Sequence, residues 1–147
     1  MKPSVCRSLL YVSFGLLCAG CSPSLPEVAA ANPDSTNQKP IVTITLVPPY
    51  DRGGPHKLDD IAGTVVGACD KCRIVLFALG DLWYVQPWTA RKYTPIAKDG
   101  RWESETHLGT KYAALLVRLS YHAPDTTLNL PDVGGDVLAS VVVRGRR

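Results

Sequence analysis

The sequence lacks a strong excess of charge of either sign. It has 147 residues, with 16 lysines and arginines against 13 aspartates and glutamates. Lys2 and Arg7 fall in the first 20 residues, so the rest of the chain keeps 14 basic and 13 acidic side chains, a net charge of +1. Proteins that bind nucleic acid generally present a basic face to its phosphates. We therefore expect no nucleic-acid partner.

The familiar sequence signatures of catalytic and metal sites are also missing. The chain has no Gly-x-Ser-x-Gly, no His-Glu-x-x-His and no glycine-rich loop that would cradle a phosphate. Its three histidines, His56, His107 and His122, are scattered singly, whereas a structural zinc ion needs four ligands. We expect a protein that is not an enzyme and that has no catalytic residues, no metal and no cofactor.

No apolar run in the sequence is long enough to span a bilayer. The longest stretch near the start, Leu9–Cys18, follows the basic residues Lys2 and Arg7 and precedes small residues. This layout is typical of a cleavable export signal rather than of a permanent transmembrane helix. The sequence therefore predicts a signal peptide over residues 1–20.

The segment Leu17–Cys21 (LCAGC) resembles the lipobox of bacterial lipoproteins, although Cys18 stands where leucine is commonest. The resemblance implies cleavage ahead of Cys21 and acylation of its thiol, and Ser22 after it implies sorting to the outer membrane. Several acyl chains on one residue hold a protein stably at a bilayer. We expect a lipid-anchored protein of the cell envelope, facing the periplasm or the cell surface. The alternative is an ordinary secretory signal in which Cys21 has no special role.

The next segment, residues 21–40, is rich in proline, serine, alanine and asparagine and has no apolar periodicity. Such a composition cannot bury enough surface to offset the entropy of ordering, so we expect a flexible tether. The folded domain is then expected over residues 41–147.

The folded part has the short, apolar or alternating segments of a β-protein and no sustained apolar period of 3.6. The predicted strands are Ile41–Val47, Ile61–Val66, Arg73–Leu79, Trp83–Val85, Arg101–Thr106, Tyr112–Leu119 and Val137–Val143. Asp99-Gly100 is a typical hairpin turn ahead of the fifth. The sequence predicts an all-β, immunoglobulin-like or related antiparallel sandwich of about seven to eight strands.

Two aromatic residues are expected to be structural. Tyr112, after Leu108–Lys111, has the position of a tyrosine corner, in which the hydroxyl bonds to the backbone upstream. Trp102 lies on the inward face of an alternating strand and is expected in the core.

Cys69 and Cys72 form a Cys-x-x-Cys motif between two predicted strands. A redox motif normally opens a helix, and no second ligand pair for zinc follows. In an oxidising compartment we expect a structural disulfide between them. Free thiols, or redox or metal chemistry, remain as alternatives.

A dense group of aromatic residues is the best candidate for a binding site. Four aromatic residues fall within eleven positions, interleaved with a glutamine. Aromatic rings stack on sugar rings and also form interface hot spots, so a ligand-binding role is expected here, with Trp88 the most exposed member. The expected ligand-binding residues are Trp83, Tyr84, Gln86, Trp88 and Tyr93. Because successive residues of a strand point to opposite faces, only one set is easily exposed.

Segments spread through the folded part also carry a family resemblance. These segments are Ile44–Thr45, Val47–Tyr50, Ile61–Gly63, Val66–Gly67, Ile74–Ala78, Trp83–Trp88, Asp99–Trp102, Tyr112–Val117 and Leu130–Pro131. Together they resemble a small module of bacterial secreted and surface proteins, sometimes found beside carbohydrate-active enzymes. The resemblance implies an exported β-domain and no particular activity. The Cys69 and Cys72 pair departs from it.

The sequence thus predicts a lipid-anchored binding module of the cell envelope that recognises a glycan or an envelope protein through an aromatic surface. Two alternatives remain at this point. One is a scaffolding lipoprotein with no small ligand, and the other is an envelope thiol-disulfide protein that uses Cys69 and Cys72.

Overall fold

Eight β-strands make up the structure, a computed structural model that describes residues 39–52, 54–67 and 71–147. The strands are β1 (Ile41–Leu46), β2 (Gly54–Val66), β3 (Cys72–Leu79), β4 (Trp83–Gln86), β5 (Arg101–Leu108), β6 (Lys111–Arg118), β7 (Thr126–Thr127) and β8 (Val137–Arg144). The predicted signal peptide, the acylated Cys21, the tether up to residue 38 and Cys69 lie outside the described residues.

The strands form two antiparallel sheets. One has three strands in the order β1-β2-β5, and the other has five in the order β7-β4-β3-β6-β8. This confirms the predicted immunoglobulin-like β-sandwich. Across the described ranges no helix has the length and apolarity needed to cross a membrane.

The larger sheet is buried on both faces. Ile74, Leu76 and Ala78 of β3 pack on the smaller sheet, while Val75 and Phe77 point to the opposite side. That opposite side is a second apolar cluster, which the chain after β6 covers. Strands β3 and β6 therefore read as continuous apolar runs in the sequence, because both of their faces exclude water.

Trp102 is the largest side chain that the smaller sheet contributes to the core, and it is 3% exposed, as expected. It lies opposite Gly63 across the β2–β5 ladder. A Cβ atom on Gly63 would come within 2.3 Å of the Trp102 ring and 1.9 Å of the Thr43 carbonyl oxygen. Glycine at this position therefore gives the indole its space.

Tyr112 makes the tyrosine-corner bonds that the sequence predicts. Its hydroxyl accepts a hydrogen bond from the Gly109 N–H at 3.0 Å and donates one to the Pro49 carbonyl at 2.6 Å. Burial raises the pKa of this phenol. The hydroxyl joins the loop before β6 to the chain that follows β1, so one side chain ties the two sheets together.

Two local expectations are corrected by the structure. Strand β2 begins at Gly54 rather than Ile61, because Gly54–Asp60 pairs with β5 through its backbone without an apolar alternation. The Asp99-Gly100 turn forms, with Gly100 at a positive φ of 81°. It does not join two paired strands, since β5 pairs with β2.

Candidate functional site

The two faces of β4 have different surroundings. Trp83 and Val85 face the second apolar cluster, together with Phe77. Tyr84 and Gln86 pair across the ladder with Ala78 and Leu76, which belong to the inner core, so they point to the inner side. Strand β4 lies beyond the central strands of its sheet, and there the inner side opens into a cavity.

The cavity has a volume of about 610 Å³ and lies between β4 and the end of β5. Its aromatic walls are Tyr84, which is 39% exposed, and Trp88, which is 47% exposed. Arg52, Asp81 and His107 bring a cation, a carboxylate and an imidazole to the same space. Rings beside a few polar groups are the usual composition of a small-molecule or sugar site.

Trp88 is the most exposed of the five residues predicted to bind a ligand, as expected. Its ring meets the His107 ring in a T-shaped contact, with centroids 4.6 Å apart and planes at 85°. This contact holds the indole upright at the edge of the cavity while leaving much of its surface open to solvent.

Trp83 does not belong to the cavity, which corrects the prediction for this residue. Its side chain is 9% exposed and packs in the second apolar cluster with Val85 and Ala123. The physical reason is the alternation along β4, which turns Trp83 away from Tyr84.

Tyr93 is also placed elsewhere, a second correction. Its hydroxyl donates to the Tyr121 carbonyl at 3.0 Å and lies 3.3 Å from the Ala123 N–H. The Arg73 guanidinium lies 3.3 Å above its ring centroid, a cation–π contact. Tyr93 therefore fastens the chain after β6 to the sheet and does not line the cavity.

Tyr84 and Asp81 form a hydrogen-bonded pair on the cavity wall. The Tyr84 hydroxyl donates to Asp81 Oδ1 at 2.7 Å, and the Leu82 N–H donates to the same oxygen at 3.0 Å. These bonds lower the pKa of Asp81, with the Tyr84 bond the main cause, and the same bond raises the pKa of Tyr84. The pair fixes the ring and keeps the carboxylate ionised as an acceptor.

Gln86 is buried, at 3% exposed, and links the two sheets at the back of the cavity. Its Oε1 accepts a hydrogen bond from the His107 backbone N–H at 2.8 Å, and its Nε2 donates to the Tyr84 carbonyl at 3.1 Å. Oε1 also lies 2.9 Å from His107 Nδ1. The predicted binding residue Gln86 is thus a positioning group, because its polar atoms are used by Tyr84 and His107.

Arg52 reaches the cavity from the segment between β1 and β2. Its Nε donates to the Tyr50 hydroxyl at 3.1 Å, and this bond is the main cause of a lowered pKa for Tyr50. The guanidinium is therefore steered by Tyr50 while its side chain stays exposed. It supplies planar N–H donors at the cavity mouth.

His107 and Arg52 are members of the site that sequence reasoning missed. His107 looks like an isolated histidine, and Arg52 looks like part of a turn-forming Asp-Arg-Gly-Gly loop. Each comes from a segment far from Trp83–Trp88 in the chain, and only the sandwich topology brings the three segments together. The one usable sequence signal is that His107 continues the alternating strand from Trp102.

The cysteine motif is only partly described. Cys72, at the start of β3, does not titrate as a free thiol. Cys69 lies outside the described residues, so the pairing of these two cysteines stays a prediction. Within the described ranges no cluster of three or more histidine, cysteine and acidic side chains is arranged to hold a metal ion.

A second cavity, of about 780 Å³, lies over the β2–β5 face beside Arg91, Arg101 and Glu103. The Trp102 Nε1 atom is buried there and has no hydrogen-bond partner in the described part of the chain. This cavity has no half-exposed aromatic ring on its walls, so the first cavity is the better candidate for ligand binding.

Comparison of the chain with protein-family models, with curated proteins and with solved structures finds no match. The argument for function therefore depends on the site itself.

Proposed function

We propose that the protein is a binding module of the cell envelope that recognises a glycan in the cavity formed by Tyr84 and Trp88. The observation that carries this proposal is the pair of half-exposed aromatic rings beside Arg52, Asp81 and His107. A sugar ring has an apolar face that stacks on an aromatic side chain and hydroxyl groups that both donate and accept hydrogen bonds. The cavity offers rings for the first and polar groups of both kinds for the second.

A glycan fits these features better than a protein partner does. The cavity volume of about 610 Å³ lies within the usual range for small-ligand sites. A specific protein interface generally needs a broad surface with about 800 Å² buried on each side. The exposed apolar side chains outside the cavity, such as Leu128 and Leu119, are not part of its walls. Concentration of the aromatic surface in one concave site favours the smaller ligand.

The location is a further part of the proposal. The lipobox-like segment Leu17–Cys21 supports acylation of Cys21 and attachment to the outer membrane. The same oxidising compartment supports a disulfide between Cys69 and Cys72. Replacing Cys21 with serine should release the protein from the membrane fraction and abolish labelling by palmitate. An unchanged membrane fraction with Cys21→Ser would rule out the lipid anchor.

The glycan proposal is tested with protein purified after expression of the full-length sequence. We expect it to retain saccharides on an array of peptidoglycan, lipopolysaccharide and capsular oligosaccharides. Trp88→Ala should weaken that binding by about tenfold or more, since a central aromatic contact dominates such sites. The matched control is Leu128→Ala, which removes an apolar side chain that is 77% exposed and away from the cavity.

Two results would contradict the glycan proposal. One is equal retention by the Trp88→Ala and Leu128→Ala proteins. The other is no retained saccharide, combined with capture of an envelope protein that Trp88→Ala abolishes, which would assign the cavity to a protein partner.

A further inference from the structure

We propose that Gln86 holds His107 in the Nδ1–H tautomer, so that Nε2 serves as a hydrogen-bond acceptor that reads a ligand hydroxyl beside Trp88. The part of this inference that concerns the ligand rests on the function proposed above. The part that concerns the tautomer stands on the free protein. It makes His107 a specificity-determining residue and Gln86 a positioning residue.

The orientation of the Gln86 amide is fixed by two backbone groups. Oε1 faces the His107 N–H at 2.8 Å, and Nε2 faces the Tyr84 carbonyl oxygen at 3.1 Å. A backbone N–H only donates and a carbonyl only accepts, so exchanging the amide oxygen and nitrogen would break both bonds. Oε1 is therefore an acceptor at this position.

The orientation of the amide decides the tautomer of His107. Nδ1 lies 2.9 Å from Gln86 Oε1, which carries no hydrogen, so Nδ1 must supply the proton of this hydrogen bond. A neutral imidazole carries one N–H group, and the other ring nitrogen then holds a lone pair. In neutral His107 that nitrogen is Nε2.

The lone pair of Nε2 is available for a ligand. Nε2 makes no hydrogen bond to any residue in the described ranges, and His107 lines the cavity. The ring is held on one side by Gln86, which is buried, and meets the Trp88 ring in the T-shaped contact described above. The imidazole is thus fixed before any ligand arrives.

This arrangement gives the cavity a preference for ligands that donate a hydrogen bond. A hydroxyl or an amide N–H satisfies Nε2, whereas a carboxylate or phosphate oxygen without a proton does not. A site with a fixed polar group discriminates strongly against an analogue that leaves this group unpaired. A saccharide hydroxyl placed against the Trp88 ring meets both requirements.

The tautomer is measured without a ligand. In ¹⁵N spectra of the free full-length protein, taken at the alkaline end of a pH titration, we expect a protonated Nδ1 and an unprotonated Nε2 for His107. The chain has three histidines, so the His107→Phe spectrum assigns the signals. A protonated Nε2 in the neutral ring would overturn the proposal. Gln86→Met should raise the Nε2–H population, and an unchanged population would also contradict it.

The reading of the hydroxyl is measured on the saccharide array. His107→Phe keeps an aromatic ring against Trp88 but removes the acceptor, so binding should fall by about tenfold or more while the unfolding curve is kept. Equal binding by His107→Phe would refute the hydroxyl contact. If the unaltered protein retains no saccharide at all, the glycan proposal and the hydroxyl contact fail together. The ¹⁵N measurement still decides the tautomer.

Discussion

Trp83 and Trp88 are the same residue type, five positions apart, yet they have opposite surroundings. Trp83 is 9% exposed in the second apolar cluster, while Trp88 is 47% exposed on the cavity wall. Strand alternation sends Trp83 and Tyr84 to opposite faces, and Trp88 follows Pro87 just beyond the end of β4. The comparison teaches that one aromatic cluster supplies both the packing that stabilises the sheet and the surface that is open for recognition.

The largest expected effect is on the buried member of the pair. Trp83→Ala should lower the free energy of unfolding by about 3–5 kcal/mol, because it removes a buried indole and leaves a cavity under the chain after β6. Urea unfolding of the purified full-length protein measures this. A loss below about 1 kcal/mol would mean that the second apolar cluster is not a stabilising core.

The tyrosine corner gives the next largest effect. Tyr112→Phe leaves the Gly109 N–H and the Pro49 carbonyl without their partner, which should cost about 1–3 kcal/mol. Tyr121→Phe is the matched control, since the Tyr121 hydroxyl makes no hydrogen bond to a residue in the described ranges. Equal unfolding free energies for the two variants would show that the corner bonds do not stabilise the sandwich.

The comparison of the two tryptophans is sharpest when the same change is made at the exposed position. Trp88→Ala should change the free energy of unfolding by about 1 kcal/mol or less, because what it loses is mainly the edge contact with His107. Saccharide binding should fall while the stability is nearly kept. The comparison breaks if Trp88→Ala destabilises the protein as much as Trp83→Ala does.

The sequence carried enough information for the fold because local patterns report burial directly. Seven of the eight strands overlap predicted segments, and the runs in β3 and β6 indicated central strands. The two-residue β7 has no pattern to detect, and β2 was cut short because its first half pairs through the backbone alone.

The candidate site was less accessible from the sequence. The Trp83–Trp88 segment identified Tyr84 and Trp88, and the alternation along β4 already implied that only one set faces outward. Arg52 and His107 join them only because two other segments reach the same edge of the sandwich. Such contacts between distant parts of the chain leave no local periodicity, so a single sequence does not reveal them.

The smallest expected effect concerns the pair of Tyr84 and Asp81. The Asp81 pKa is lowered in the folded protein, so its ionised form stabilises the fold above the unfolded pKa, and this contribution is lost as the pH falls through the folded pKa. Tyr84→Phe removes the main cause of the shift but keeps the Leu82 N–H bond. The Asp81 pKa should therefore rise part of the way to its ordinary value, which a ¹³C carboxyl titration measures. A rise of the same size in Trp88→Ala would show that the shift arises from the cavity as a whole and not from the Tyr84 hydroxyl.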